Sequence, residues 1–278
     1  MKMYLKEKIP FSRALLGIMA SVILITGSIG MFFFYLKVVR NQYINNSSYN
    51  IVAIIQTCHH HEGLKTAYLA ELLGLSQDKP TNIHAFDLTQ ATSILLSHPV
   101  IKSAEIKKIP PGTIYIDYSL RQPIGTVLDF SNTAFDENGV FFPFHPFYTP
   151  KKIPEIFFGI EIKDNEIWIN NKDNIIVQKL LSLLEELTIL IKNNYQINRI
   201  DLSKSEADSY GKRQIIVTLE EKIKQNKFDK IVLRLHSENF KEGIENFNEL
   251  QKRYKKNFKN GNLLIDLRLS SLAFISEI

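Results

Sequence analysis

The chain has 278 residues, and its formal charge of +5 is distributed unevenly. Residues 1–40 hold six basic side chains and one acidic side chain, whereas residues 41–278 hold 28 of each sign and are neutral. The high pI therefore belongs to one short segment, which excludes a basic nucleic-acid-binding surface as its explanation. Cys58 is the only cysteine, so an intrachain disulfide is excluded and the domains must be held by apolar cores.

The uncharged run at residues 14–36 predicts a membrane-spanning helix. At about 1.5 Å per residue it is roughly 34 Å long, enough for a hydrocarbon core of about 30 Å. A cleaved signal peptide is the alternative, but the run is longer than the apolar region of a usual signal, and no small-x-small cleavage site stands at its C-terminal end, residues 31–35. The net charge is +3 before the run and +2 after it, which favours residues 1–13 in the cytoplasm and the rest outside it. Residues 37–50 are predicted to be a tether.

Residues 51–124 predict a small β-α-α-β-β domain. A strand at 51–55 is followed by a first amphipathic helix. A second helix begins at Asp87, because Asp87 and the glutamine three residues later match a capping-box pattern. Pro99 cannot continue a helix and therefore ends it.

Two alternating strands complete this domain. Apolar and polar residues alternate in 104–107 and again in 114–120, as half-buried strands require. Between them, Pro111 and Gly112 suit the central positions of a type II turn, where glycine takes a positive φ. The sequence therefore predicts a hairpin here.

Residues 125–278 predict a larger mixed α/β domain built on an extended β-sheet. Asn138–Gly139 favours a tight turn, since both residues accept positive φ at little cost. Leucines at helical spacing predict a helix at 176–191. The other predicted elements are strands at 126–130, 133–135, 140–142, 196–202, 214–219 and 230–236, a helix at 240–254, and one long final strand at 263–275.

The one cluster with metal-ligand chemistry is Cys58-His-His-His-Glu62. Consecutive residues of an extended chain point to opposite sides, so they do not converge on one ion as spaced ligands do. We therefore interpret the cluster as a solvated loop and predict no metal and no cofactor.

The sequence contains no recognisable catalytic motif. Gly-x-Ser-x-Gly, His-Glu-x-x-His and Gly-x-Gly-x-x-Gly are all absent. We therefore expect a protein that is not an enzyme and that takes neither nucleic acid nor a small-molecule substrate.

Four short motifs in fixed order carry a resemblance to a known family. They are Arg121-Gln-Pro-Ile after the predicted hairpin, AFDENGVF at 134–141, IPEIFFG at 153–159, and IDLR at 265–268. Together with a basic tail and one membrane span, they resemble the FtsQ/DivIB family of bacterial cell division. The resemblance covers nearly the whole chain and implies that residues 51–124 form a POTRA-like domain.

The resemblance also implies a function and a site. The family is a non-enzymatic scaffold of the divisome that binds FtsB and FtsL outside the cytoplasm and links them to septal peptidoglycan synthesis. It implies a location in the inner membrane at the division site, with the bulk of the chain periplasmic. Partner binding is expected by β-augmentation, in which a partner segment pairs with an exposed strand edge. The residues expected to bind are in the last strand: Leu269, Ser271, Leu272 and Phe274.

Two alternatives belong to other functional classes. A POTRA-type secretion or assembly factor would chaperone extended polypeptides, and it normally has a β-barrel or several POTRA repeats. A membrane-tethered cell-wall enzyme would need a catalytic constellation that the motifs do not supply. Localisation to the division site separates the scaffold from both alternatives.

Overall fold

The computed structural model describes residues 11–59, 62–159, 174–190, 195–222, 228–254 and 262–278. The chain divides into two compact units. The first unit is formed by residues 1–57, 65–94 and 105–117, and the second by residues 58–64, 95–104 and 118–278. The predicted α+β class is confirmed, with an N-terminal apolar helix and a large mixed sheet.

Helix α1 runs from Phe11 to Asn45 and contains the predicted membrane span. From Leu15 onward it is long and apolar enough to cross a membrane, and its large apolar side chains are exposed. This is consistent with a single-pass membrane anchor. The helix continues for nine residues beyond Leu36, into the segment predicted as a tether.

A short connection joins α1 to the rest of the first unit. The 3-10 helix Ser47–Tyr49 is capped by the side chain of Asn46, which accepts a hydrogen bond from the N–H of Ser48 (2.9 Å). The buried amide of Asn82 donates to the carbonyls of Tyr43 and Asn46, at 3.0 Å each. Satisfying the carbonyls at a helix end in this way fixes that end against the unit.

The predicted strand-helix-helix-strand-strand order is present. Its elements are β1 (Ala53–Cys58), α2 (Thr66–Leu72), α3 (Leu88–Ser97), β2 (Ile101–Ile109) and β3 (Thr113–Leu120), and the three strands form a sheet in the order β1-β3-β2.

Local signals in this region act as predicted. The Asp87 carboxylate accepts hydrogen bonds from the N–H groups of Thr89 and Gln90 (2.9 and 3.1 Å), and so caps α3. The helix ends at Ser97, two residues before Pro99. Every second side chain of β3 is buried, beginning with Ile114, as the alternation predicts.

The turn between β2 and β3 differs from the prediction. Pro110–Pro111 is a cis peptide, and Gly112 is not among the residues of positive φ. The type II turn was therefore wrong. Glycine is needed at this position for a different reason, because a Cβ on Gly112 would clash with the carbonyl oxygen of Asn50.

The second unit contains a nine-stranded mixed sheet in the order β12-β11-β10-β9-β8-β7-β4-β5-β6. The pairs β10–β11, β4–β7 and β7–β8 are parallel, and the others are antiparallel. The strands are β4 (Gly125–Val127), β5 (Thr133–Phe135), β6 (Phe141–Pro143), β7 (Glu155–Phe157), β8 (Tyr195–Asp201), β9 (Ile215–Lys222), β10 (Phe228–Leu235), β11 (Leu263–Leu267) and β12 (Phe274–Glu277).

Two helices cover this sheet. They are α4 (Ile175–Leu190) and α5 (Phe240–Tyr254), whose apolar sides join one buried cluster with the strands. The predicted helices and the three central strands are confirmed in place. The Asn138–Gly139 turn is also confirmed, with φ of 71° at Gly139.

The predicted single strand at 263–275 is wrong. The segment divides into β11 and β12, which pair antiparallel through Ile265 and Ile275. Between them the chain reverses at Ser271, whose φ is 65°. A side chain in this left-handed conformation is strained, and the strand cannot continue through it.

Candidate functional site

Strand β12 is the exposed end of the nine-stranded sheet. It pairs with β11 on one side and stands last in the strand order on the other. All four of its residues are exposed, with Phe274 at 60% and Ile275 at 47% of their full accessibility. In the described part of the chain no strand pairs with its outer side. An exposed edge of this kind offers both main-chain hydrogen bonds and side-chain contacts to another strand.

The direction of each main-chain group on β12 follows from one hydrogen bond. The N–H of Ile278 donates to the carbonyl of Asn262, just before β11, at 2.9 Å. Alternate residues of an antiparallel strand direct their N–H and C=O to the same side. Ser276 therefore faces β11 as well, whereas the N–H and C=O of Ile275 and Glu277 point to the outer edge.

The four residues predicted for partner binding lie together at this end of the sheet. Leu269, Ser271 and Leu272 lie in the turn before β12, and Phe274 is its first residue. Leu269 and Leu272 are each 56% exposed. Their role in binding stays a prediction, but their position next to an exposed edge is suited to it.

A groove lies beside the turn and β12, and sequence patterns gave no indication of it. Its volume is about 350 Å³. Arg213 pairs with Glu238 at 2.8 Å, and the ring of Tyr210 lies 5.1 Å from that of His236. The walls thus offer aromatic and paired charged groups to a side chain of a partner. The lining residues are Tyr210, Gly211, Arg213, His236, Asp266, Arg268, Leu269 and Phe274.

Asp266 and Arg268 of the IDLR motif fix the end of β11. The guanidinium of Arg268 donates to the Asp266 carboxylate at 2.8–3.1 Å, and Arg234 lies 3.3 Å from it. Burial alone would raise the pKa of Asp266, but the hydrogen bonds from Arg268 and the charge of Arg234 outweigh it, so its pKa lies below the ordinary value. Arg234 also donates to the side chain of Gln214, directly before β9 (2.7 Å).

This lowered pKa predicts a pH-dependent contribution to stability. A carboxylate whose folded pKa is depressed stabilises the fold above its ordinary pKa, and the contribution is lost as the pH falls through the folded pKa. We expect Asp266→Asn to be destabilising at pH 7 and the difference from wild type to shrink as acid is added. Urea unfolding at a series of pH values measures the difference in free energy of unfolding between Asp266→Asn and wild type. A difference that does not change with pH would show that the carboxylate is not stabilised as described.

Two of the four resemblance motifs meet at a buried ion pair. Arg121 Nη1 lies 2.8 Å from Asp136 Oδ2, and the side chain of Asp136 is 2% exposed. The other Asp136 oxygen accepts hydrogen bonds from the N–H groups of Asn138 and Val140 (3.0 Å each). Arg121 also donates to the carbonyl of Pro99 (2.9 Å). These contacts join the two motifs and organise the fold.

The motif at 153–159 also has an architectural role. Gly159 has φ of 69°, and a Cβ there would lie 2.7 Å from Cβ of Ser203. Both the conformation and the close approach require glycine.

The Cys58–Glu62 cluster falls partly outside the described residues, since these exclude His60 and His61. The described residues include no group of three His, Cys, Asp or Glu side chains that could hold a metal. Glu62 instead accepts hydrogen bonds from Thr149 and pairs with Lys151 at 2.7 Å. The Cys58 thiol donates weakly to the carbonyl of Glu62 (3.7 Å).

The comparisons with known proteins do not identify the chain. No protein-family model matches it, and no curated protein matches it significantly. The resemblance to FtsQ/DivIB therefore depends on the four motifs and on the order of the elements.

Proposed function

We propose that this protein is a membrane-anchored, non-enzymatic scaffold of the bacterial division machinery. Residues 51–124 serve as its POTRA-like domain, and the periplasmic bulk binds partners of the FtsB and FtsL type. The observation that carries the proposal is the exposed strand β12 at the end of the sheet, with Phe274 and Ile275 in solvent next to a groove. A partner segment that pairs with β12 would add a tenth strand and cover the exposed edge.

A fluorescent fusion to the N-terminus tests the division role. We expect the fusion to collect as a band at the division site, and deletion of residues 269–278 to abolish recruitment of the FtsB-type partner to that band. A uniform distribution over the membrane throughout the cell cycle would contradict the division role.

The topology is tested with Cys58, which lies beyond the anchor and is partly exposed. A membrane-impermeant maleimide is expected to label it in intact spheroplasts, because the positive-inside bias places residues 1–13 in the cytoplasm. Denatured protein serves as the control for reactivity of the thiol. Labelling that requires lysis of the spheroplasts would reverse the proposed orientation.

The second candidate function is a chaperone for extended polypeptides. A groove of about 520 Å³ beside β1 favours it, since β1 is an end strand of its own sheet and the lining is uncharged. The groove is lined by Ile51, Val52, Ala53, Ile54, Thr66, Ala67, Ala70, Leu75, Ser76, Gln77 and Pro80. Such a factor would be distributed over the whole membrane, so the fusion experiment separates the two functions.

A further inference from the structure

The end of α1 determines how close the first unit lies to the bilayer. The apolar run ends at Leu36, and Arg40 follows four residues later, about 6 Å along the helix. The headgroup region on one side of a bilayer is roughly 5–8 Å thick, so Arg40 is at headgroup level when the run spans the core. Asn82 then holds the carbonyls of Tyr43 and Asn46, within one or two helical turns of that level.

An aromatic cluster strengthens this connection. The rings of Tyr43, Tyr49 and His84 lie 4.9–5.4 Å from one another. A main-chain hydrogen bond also joins the two segments, since the N–H of Ile83 donates to the carbonyl of Tyr49 (2.8 Å). The unit therefore cannot swing away from the bilayer on a free linker without breaking these contacts.

Exposed apolar residues lie at this end of the unit. Val52 is 84% exposed, and Ile109 is 43% exposed next to the exposed Pro110 and Pro111. The two segments are joined, because the N–H of Val52 donates to the carbonyl of Gly112 at 2.8 Å. We call Val52 and residues 109–111 the apolar tip. Apolar side chains beside basic ones are typical of surfaces that enter the interface of a membrane.

Basic side chains lie beside the apolar tip. Lys108 precedes the tip directly, and its ammonium is within electrostatic range of both Asp87 and Arg40. Burial lowers the pKa of Lys108; the Asp87 carboxylate opposes this, and the charge of Arg40 adds a smaller lowering effect. Lys37 and Arg40, one turn apart on α1, place two further cations near the headgroup level, where they attract anionic lipid.

We propose that the apolar tip, together with Arg40 and Lys108, is a membrane-docking surface that binds the anionic headgroups of the bilayer crossed by α1. The inference rests on the anchor in the proposed function and not on partner binding by β12. Each basic residue near a membrane surface strengthens attraction to anionic lipid, and the effect is screened over about 8 Å at physiological salt.

Depth-dependent quenching in nanodiscs tests the proposal on the full chain. An environment-sensitive fluorophore is attached to Ile109→Cys in a Cys58→Ser background, and the quencher is a spin label on either phosphatidylglycerol or phosphatidylcholine headgroups. We expect quenching at Ile109, and more of it by the anionic quencher. A label at Met31→Cys reports insertion of α1, and a label at Lys102→Cys, roughly 20 Å along β2 from the tip, serves as the distant control.

A charge reversal isolates the anionic contact. Lys108→Glu is expected to reduce the excess quenching by the anionic lipid roughly fivefold, whereas Lys102→Glu on the same strand leaves it unchanged. Circular dichroism and binding to the FtsB-type partner are expected to be unchanged in both variants, which confirms that they fold.

Three results would overturn the proposal. Quenching at Met31 but not at Ile109 means that the anchor is inserted and the tip is not docked. Equal quenching by both lipids, unaffected by Lys108→Glu, means that anionic headgroups are not recognised. Absence of quenching at Met31 contradicts the anchor itself and removes the basis of the inference, whatever β12 binds.

Discussion

Proline at Ile275 is expected to weaken partner binding strongly while the protein stays folded. The N–H of Ile275 points to the outer edge of β12, so its loss removes a hydrogen bond to the partner and leaves the pairing with β11 intact. Proline is tolerated on edge strands when the missing N–H faces solvent. We expect affinity for the FtsB-type partner to fall roughly tenfold or more, since a net backbone hydrogen bond contributes about 1 kcal/mol and the ring blocks close approach. Biolayer interferometry on the full chain in nanodiscs measures this affinity.

Two matched variants control this experiment. Ile275→Val keeps the N–H and the branched side chain, and is expected to bind almost as wild type does. Ser276→Pro removes an N–H that faces β11, so it is expected to lower the thermal midpoint of the second unit. Normal binding by Ile275→Pro would mean that the partner does not pair with this edge.

Replacing Arg121 by methionine is expected to cost about 3–5 kcal/mol in the free energy of unfolding, because it leaves the Asp136 carboxylate buried without its cation. The carbonyl of Pro99 loses its donor as well. Urea unfolding of the second unit, followed by far-ultraviolet circular dichroism, measures this free energy. Loss of less than 1 kcal/mol would show that the pair is solvated in solution.

A double variant of Arg121 and Asp136 isolates the direct interaction between these two side chains from their other contacts. Asp136→Asn keeps an oxygen for the N–H groups of Asn138 and Val140 but removes the charge. Arg121→Met combined with Asp136→Asn is therefore expected to be more stable than the sum of the single changes predicts, by about 1–3 kcal/mol. Strict additivity would contradict a direct interaction between the two side chains.

Elements that depend on local signals were predictable from the sequence. The Asp87 cap, the stop at Pro99 and the Asn138–Gly139 turn each act within a few residues. The buried stripe of α4 and the central strands follow from periodicity alone, because the pattern of burial repeats with the geometry of the element.

The break in the last strand could not be predicted in this way. Residues 268–273 contain neither glycine nor proline, yet Ser271 takes a positive φ. Tertiary context compensates for that strain, since β11 and β12 pair on either side of the turn. The cis peptide before Pro111 likewise has no sequence signal that separates it from the type II turn that was expected.

The candidate site was only partly accessible to sequence reasoning. Leu269 and Leu272 could be named from the resemblance, but the groove beside them depends on Tyr210, Arg213 and His236. Tyr210 and Arg213 precede β9, whereas His236 follows β10, and the order of the strands brings both segments to β12. The exposure of β12 likewise follows from its place at the end of the strand order, which its own sequence does not determine.

Amide hydrogen exchange at β12 tests the central claim most directly. NMR on the full chain, free and bound to the FtsB-type partner, resolves the individual N–H groups. We expect exchange of the Ile275 and Glu277 amides to slow roughly tenfold or more on binding, because both point to the outer edge, while the Ser276 amide, already directed at β11, changes little. Binding that leaves the Ile275 and Glu277 amides unprotected would contradict pairing of a partner strand with β12.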